Sequence, residues 1–387
     1  MKITLIAPLP PLKFISPYCD DLVNALYKKV DIEVIGYQQI LPNYMYCGEP
    51  IEKKNTTLPK IKNIKIFNII KYFNPFSWIK AAMKVTTKIV HIQHWTYYAN
   101  FAFFIILPIL KIRKKIIVIT IHNITPHVPE KSVILIDRIF NKILFLFGDV
   151  FIVHNKRNKE KLLKLYKIDK NKIHIITMGV NSYEKKNISK KDARKKLKIP
   201  QDKKVLLFFG YIWRYKGLDT LLKALVLIKK KIPEILLIIA GQPLNKKDSW
   251  DRYDILIKEY NLQDFIIKRL EYIPKLEIPL YFSATDIVVL SYKEPFDTHG
   301  AVGSLSLSFK KPLVVTDIGG LPEYVKDKNA ISPPEDFQSL ANNIIRIFKD
   351  YKLFKKLTVD AKNRAIELSW DTIVEKNIEL YKSLIKN

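Results

Sequence analysis

The residues best suited to chemistry lie in the run FFGYIWRYKGLDTLLKAL, Phe208 to Leu225. An apolar strand (Val205–Phe209) ends in Gly210, and a short loop then carries Arg214, Lys216 and Gly217. Leu218, Leu221, Leu222 and Leu225 follow at helical spacing. Two cations on a strand-to-helix loop, aimed at a helix N-terminus, make a site for a phosphoryl group. The first-turn N–H groups and the helix dipole favour an anion, and Arg and Lys add full charge. The alternative is a pair of solvated cations in a very basic chain.

A second candidate is DTHGAVGS, Asp297–Ser304. Gly300, Ala301, Val302 and Gly303 lie in a small-residue loop before an expected helix at Leu305–Phe309; the glycines and Ala301 admit close backbone approach, and free N–H groups at a helix start could cradle phosphate or sugar oxygens. His299 in this loop is either a ligand contact or exposed polar surface. Glu294 is either a sugar contact or a surface carboxylate. Tyr272 and Ile273 precede a proline and by themselves read as a simple turn. In the first half, strand Ile116–Ile121 switches abruptly to His122 and Asn123, with His127 close behind, as the edge of a cleft requires. His91, His94 and Trp95 end another strand, where they either line a site or pack under the following helix. Ser16 follows the first strand as a further candidate. No metal site is expected: the chain has no Asp-x-Asp pair, no His/Cys cluster and no Walker-type loop.

Strands and helices must alternate to position these residues. Ile3–Ala7, Asp31–Ile35, Ile89–His91, Ile116–Ile121, Val150–His154 and Lys172–Ile176 read as strands of a parallel α/β domain. A second series runs through Val205–Phe209, Ile235–Ala240, Ile266–Leu270, Ile287–Leu290 and Pro312–Thr316. Domains over 1–185 and 201–365 are expected, joined by a charged linker at 186–200 in which Lys190–Lys198 is a candidate short helix. A terminal helical stretch, Asp360–Lys386, should cross back to the first domain from about residue 366. Two such domains place a site in the cleft between them.

At 387 residues the chain exceeds one small core, and 48% hydrophobic content with 20 Phe and 20 Tyr excludes disorder. Cys19 and Cys47 form neither a disulfide framework nor a zinc spacing, so a reducing, cytoplasmic compartment is expected. MKITLIAPLPP reads as a first strand and not as a leader. The longest apolar run, Phe101–Leu110, is about half a bilayer span. The formal charge of +29 reflects either a Lys- and Ile-rich composition or an anionic partner. A membrane surface met by Lys111–Lys115 is one such partner, on the inner face of the cell membrane. Dispersed lysines without a recognised module argue against a specific nucleic acid.

In their order, the segments resemble a retaining glycosyltransferase of the family 4 type, with the GT-B fold, over nearly the whole length. MKITLIAPLPPLKFISPYCDDLVNALYK is similar to the family's opening strand, loop and helix, and VIGYQQILPNYMYCGE to a loop of one subgroup. VITIHNITPHVP resembles its strand ending in His-Asn, and FIVHNKRNKEKLL with KIHIITMGVN its closing strand–helix–strand. FFGYIWRYKGLDTLLKAL resembles the donor-phosphate segment. DIVVLSYKE and HGAVGSLSLSFKKPLVVTDIGGLPEYV resemble the donor loop, helix and strand, and SWDTIVEKNIELYKSLI the terminal helix.

The resemblance implies transfer of a hexose from a nucleotide-diphosphate sugar, of UDP or GDP type, to a saccharide or lipid-linked acceptor. It implies retention of configuration and no metal or other cofactor. His122, Arg214 and Lys216 would be catalytic. Gly210, Tyr272, Ile273, Glu294, His299, Gly300, Ala301, Val302 and Gly303 would join Arg214 and Lys216 at the donor. Ser16, His94, Asn123 and His127 would lie on the acceptor side. The chain departs from the family pattern at three places. Tyr211 stands where an arginine usually follows the strand glycine. Asp297 and Leu305 replace two glutamates, the second of which grips the ribose. Lys13-Phe14-Ile15-Ser16 replaces a glycine pair. These departures leave a second class open, a binding protein of the same fold that has lost turnover.

Overall fold

The computed structural model describes the chain apart from residues 11, 13–14, 40–63, 96–100, 126–130, 181–187, 244–249 and 387. It divides into two units, Met1–Gly179 with Trp370–Asn387, and Val180–Ser369.

The first unit is built on seven parallel strands: β1 (Lys2–Ile6), β2 (Asp31–Tyr37), β3 (Lys65–Ile70), β4 (Ile89–His94), β5 (Ile116–Ile121), β6 (Val150–Val153) and β7 (Ile173–Ile175). Their order is β3-β2-β1-β4-β5-β6-β7, with Ile3 opposite Ile32 on one side and Ile89 on the other. The central strands β1, β4 and β5 are buried along nearly their whole length because helices cover both faces of the sheet. Those helices are α1 (Ser16–Leu26), α2 (Pro75–Lys84), α3 (Phe103–Ile112), α4 (Lys131–Phe145) and α5 (Lys156–Tyr166). The sequence reading lacks β3 and α2. KIFNII lies at the sheet edge, half-buried, so no fully apolar run marks it.

The second unit holds α6 (Lys190–Leu197) and six parallel strands: β8 (Lys204–Phe209), β9 (Ile235–Ala240), β10 (Ile266–Arg269), β11 (Ile287–Leu290), β12 (Leu313–Thr316) and the short β13 (Ile331–Ser332). Their order is β10-β9-β8-β11-β12-β13. The helices are α7 (Leu218–Lys231), α8 (Asp251–Glu259), α9 (Ile278–Ala284), α10 (Ala301–Ser308), α11 (Phe337–Lys349) and α12 (Tyr351–Glu367).

Two boundaries differ from the sequence expectation. The stretch expected as linker carries α6, which belongs to the second unit. Arg194 of α6 is fully buried, with Nε donating to Ala284 O (3.0 Å), Nη1 to Gln201 O (2.6 Å) and Nη2 to Asp286 Oδ2 (2.9 Å). A Lys-rich surface hides that one inward guanidinium from a reading of composition. The terminal helical stretch is broken at Leu368–Ser369, and only α13 (Trp370–Lys386) joins the first unit. It packs on α1, where Lys29 pairs with Glu375. Trp370 meets the ring of Tyr18 at 5.2 Å, and a Cβ on Gly179 would lie 2.4 Å from the Trp370 ring. Among the described residues no helix is long and apolar enough to cross a membrane.

Candidate functional site

In the second unit, β8 stops at Gly210, whose φ of +90° suits glycine. The following turn, Arg214–Lys216, is a single 3₁₀ turn that ends in left-handed Gly217 at the start of α7. A Cβ on Gly217 would lie 1.9 Å from Ser291 O, so β11 passes directly against this turn. Ser291 Oγ donates to Lys216 O (3.1 Å) and Gly217 O (2.9 Å), and Lys293 N donates to Tyr215 O (2.7 Å). Tyr215 stacks on Phe296 (5.6 Å), and Tyr292 meets both rings edge-on. The turn therefore rests on an aromatic floor supplied by the segment after β11.

This packing separates the two cations. Arg214 is exposed, whereas Lys216 is 6% exposed. Lys216 Nζ donates to Phe209 O at 3.2 Å and sits 5.7 Å from the centre of the Tyr292 ring. Loss of hydration pushes its ammonium down to about 7. A buried lysine facing a carbonyl and a ring, in no ion pair among the described residues, is poised for an anionic ligand.

Gly210 marks where the segments meet. A Cβ there would lie 2.8 Å from Lys216 Nζ and 3.6 Å from Val302 Cγ2. The end of β8, the lysine and the start of α10 thus converge on one small residue. Gly300, with φ +75°, caps α10, and Ala301 and Val302 open it with N–H groups that lack an intrahelical partner. Tyr324 holds this helix: its hydroxyl donates to Gly300 O (3.1 Å), and a Cβ on Gly303 would lie 2.2 Å from its ring. His299 is fully buried, edge-on to Tyr324 at 4.8 Å, with Nε2 3.8 Å from Glu323 Oε2. It is not surface. Tyr272 is exposed and pairs with Tyr211 at 6.4 Å, beside Gly210, while Ile273 is buried. Glu294 is exposed in the turn after β11, and Leu305 is half-buried on α10.

In the first unit, β5 and β6 end side by side in His122 and His154. His122 is 6% exposed; its Nε2 lies 2.9 Å from the Gln93 amide and its Nδ1 3.0 Å from His154 Nε2. His154 Nδ1 donates to Ile176 O at 2.9 Å. Gln93 continues to His91 (3.1 Å), which meets Tyr381 of α13 at 2.6 Å. Tyr18 of α1 lies edge-on to both histidines. Desolvation holds His122 well below the usual histidine range and His154 down to about 4, so both rings are neutral at pH 7.

Asn123 donates to Trp95 O at 3.2 Å. His94 points away from this relay, under α4, with Nε2 2.9 Å from Asn141 Oδ1. Ser16 opens α1, and His127 lies outside the described residues. Among the described residues no cluster of three His, Cys, Asp or Glu could hold a metal. The sequence reading missed His154, Gln93, Ser291 and the aromatic floor. The repeated strand ending, VITIHN and FIVHN, was the available signal for His154.

Residues 189–364 match the family model described as glycosyl transferases group 1. A glycosyltransferase of Methanocaldococcus jannaschii, itself uncharacterized, is 27% identical over 239 residues, 60% of this chain and 59% of that protein. The D-inositol 3-phosphate glycosyltransferase of Corynebacterium glutamicum is 25% identical over 251 residues, 62% of this chain and 58% of that protein. The chain thus spans about three-fifths of the length of these curated relatives. A glycosyltransferase from Rickettsia africae superposes with a TM-score of 0.75 at 21% identity, over 100% of this chain and 99% of that one. HepE from Anabaena, solved in complex with UDP, gives 0.78 at 16% identity, over 99% and 100%. These likenesses establish the GT-B fold.

Proposed function

We propose that this chain, which carries a glycosyl transferases group 1 domain over residues 189–364, moves a hexose from a nucleotide-diphosphate sugar to a hydroxyl of a saccharide or lipid-linked acceptor. The observation that carries the reading is the buried Lys216 ammonium, facing Gly210 beside the opening turn of α10. A diphosphate there would meet Lys216, the first-turn N–H groups of α7 and α10, and Arg214 reaching from the exposed side of the same turn.

In the proposed reaction the bond from the anomeric carbon to the diphosphate oxygen breaks, and charge grows on the leaving group. Lys216 and the helix N-termini stabilise that charge in a site they already shape. The acceptor oxygen bonds to the anomeric carbon from the face the leaving group departs, and its proton passes to the departing phosphate. Configuration is retained, and the positive charge at the diphosphate comes from side chains and backbone without a metal. UDP- and GDP-sugars are the proposed donors. His122, neutral and held by its neighbours, would orient sugar or acceptor hydroxyls by a hydrogen bond. The proposed compartment is the cytoplasm.

Saturation-transfer NMR against UDP-, GDP- and ADP-sugars, with Lys216→Ala alongside, tests the reading. A signal for one nucleotide that the variant loses supports it; silence for all three with folded protein defeats it. Leu305 favours a second reading, since a half-buried aliphatic side chain cannot grip a ribose hydroxyl. Under that reading the protein binds a sugar nucleotide without turnover. Donor-dependent appearance of glycosylated product, followed by mass spectrometry with EDTA present, separates the two.

A further inference from the structure

Helix α4 carries apolar side chains on both faces: Leu144 and Phe145 are buried in the core, and a second apolar stripe faces outward. Leu135, Ile136, Ile139, Ile143 and Leu146 are exposed, while Asp137 and Asn141 face the protein interior. The exposed residues fall within one stripe at helical spacing, with Arg138 and Lys142 exposed along its flank. The inward polar pair fixes this orientation. Asn141 accepts from the neutral His94 at 2.9 Å and donates to Asp137 Oδ2 at 2.9 Å. Turning the apolar stripe inward would break that buried chain.

The apolar surface does not end at α4. Helices α2, α3 and α4 follow successive rightward strand steps and lie on one face of the sheet, with α2 packed on α3 and α3 on α4. Phe76, Ile79 and Met83 of α2 are exposed, Phe76 by 83%, as is Phe73 just before it. Ring contacts join the two ends, from Phe73 to Phe101 (5.6 Å) and from Phe101 to Phe140 of α4 (5.4 Å). Residues 71–148 contain eleven Lys or Arg against two carboxylates, Glu130 and Asp137, and Asp137 is buried.

We infer that this face docks on an anionic lipid bilayer, with α4 and the start of α2 lying in the headgroup region. An apolar stripe flanked by cations and poor in carboxylates is what interfacial binding to anionic lipid requires. A second copy of this chain is disfavoured, because two such basic faces would repel. The contact lies beside the Lys111–Lys115 cluster and not through it. Arg113 donates to Ala82 O (2.6 Å), Lys115 to Thr86 O (3.3 Å), and Lys111 pairs with Asp149, so these cations already serve the protein. This face lies wholly in the first unit, and its docking does not depend on the transfer reaction.

The full chain should co-sediment with phosphatidylglycerol-containing vesicles, more weakly with pure phosphatidylcholine, and less as salt rises. Ile139→Glu with Ile143→Glu should cut partitioning at least about tenfold. Arg138→Glu with Lys142→Glu should cut it by a similar factor on anionic vesicles and leave phosphatidylcholine binding unchanged. Both pairs are exposed, so an unaltered thermal melt is expected and checked. Equal sedimentation of wild type and variants, or none by wild type, overturns the inference. So does a solution dimer that Ile139→Glu with Ile143→Glu converts to monomer.

Discussion

His154 Nε2 lies 3.0 Å from His122 Nδ1, and this one contact sets the protonation of the whole relay. The Ile176 carbonyl can only accept, so His154 carries its proton on Nδ1. Its Nε2 then accepts, and His122 must carry its proton on Nδ1. His122 Nε2 is left as an acceptor, so the Gln93 amide, placed with Oε1 toward that ring at 2.9 Å, must turn over to present its NH2 there. Turned so, the Gln93 oxygen accepts from His91 Nε2, which also faces Thr120 Oγ1 at 2.7 Å, and His91 Nδ1 accepts from the Tyr381 hydroxyl. Every member is satisfied with all three rings neutral.

Nitrogen-15 NMR of labelled histidine should therefore show His122 and His154 as neutral Nδ1–H tautomers at pH 6. Imidazolium signals at that pH would contradict the relay. His154→Phe should lower kcat about tenfold or more with donor affinity unchanged, because it frees the His122 ring to turn.

Lys216 makes donor binding pH-dependent in a defined direction. Its pKa of about 7 in the free protein rises when a diphosphate supplies the missing counter-charge. Below pH 7 the ammonium is already present and affinity is level. Above pH 7 the free protein holds an amine, binding takes up a proton, and affinity falls by up to about tenfold per pH unit. Calorimetry at pH 8 in buffers of different ionisation enthalpy should detect that uptake. Lys216→Met should abolish both the uptake and most of the affinity.

Gly303→Ala should damage the donor site from behind. The new methyl meets the Tyr324 ring at 2.2 Å, and Tyr324 also bonds Gly300 at the start of α10. We expect a loss of about 1–3 kcal/mol in stability and weaker donor binding, read by thermal melts and by titration with the nucleotide sugar. A wild-type melt would mean that Tyr324 moves aside at no cost.

Asp286→Ala should be among the most destabilising substitutions in the second unit. Asp286 accepts from the buried Arg194 and from Val205 N at 2.7 Å, at the start of β8. Its removal strands a guanidinium, at a cost of about 3–5 kcal/mol. Denaturant unfolding checks this, and a change below about 1 kcal/mol would show that the pair is dispensable.

Alternating Val/Ile strands and amphipathic helices were enough to read two parallel α/β domains, because the period of a buried strand is written locally. The Gly210–Lys216–Gly217 turn was legible for the same reason: a glycine, a cation and a helix start lie within eight residues. Tertiary packing decided which residues act together. Arg214 and Lys216 look equivalent in the sequence, yet Ser291, Tyr292 and Phe296, more than seventy residues away, bury one and leave the other in solvent. His122 acquires its tautomer from His154 and Gln93, which share no sequence neighbourhood with it. The apolar period of α4 likewise predicts a buried face. Only the inward chain of His94, Asn141 and Asp137 shows that this face points outward. Spacing along a chain reports a helix or strand and its stripe. Which way the stripe points, and which cation keeps its water, depends on partners that only the folded sheet brings near.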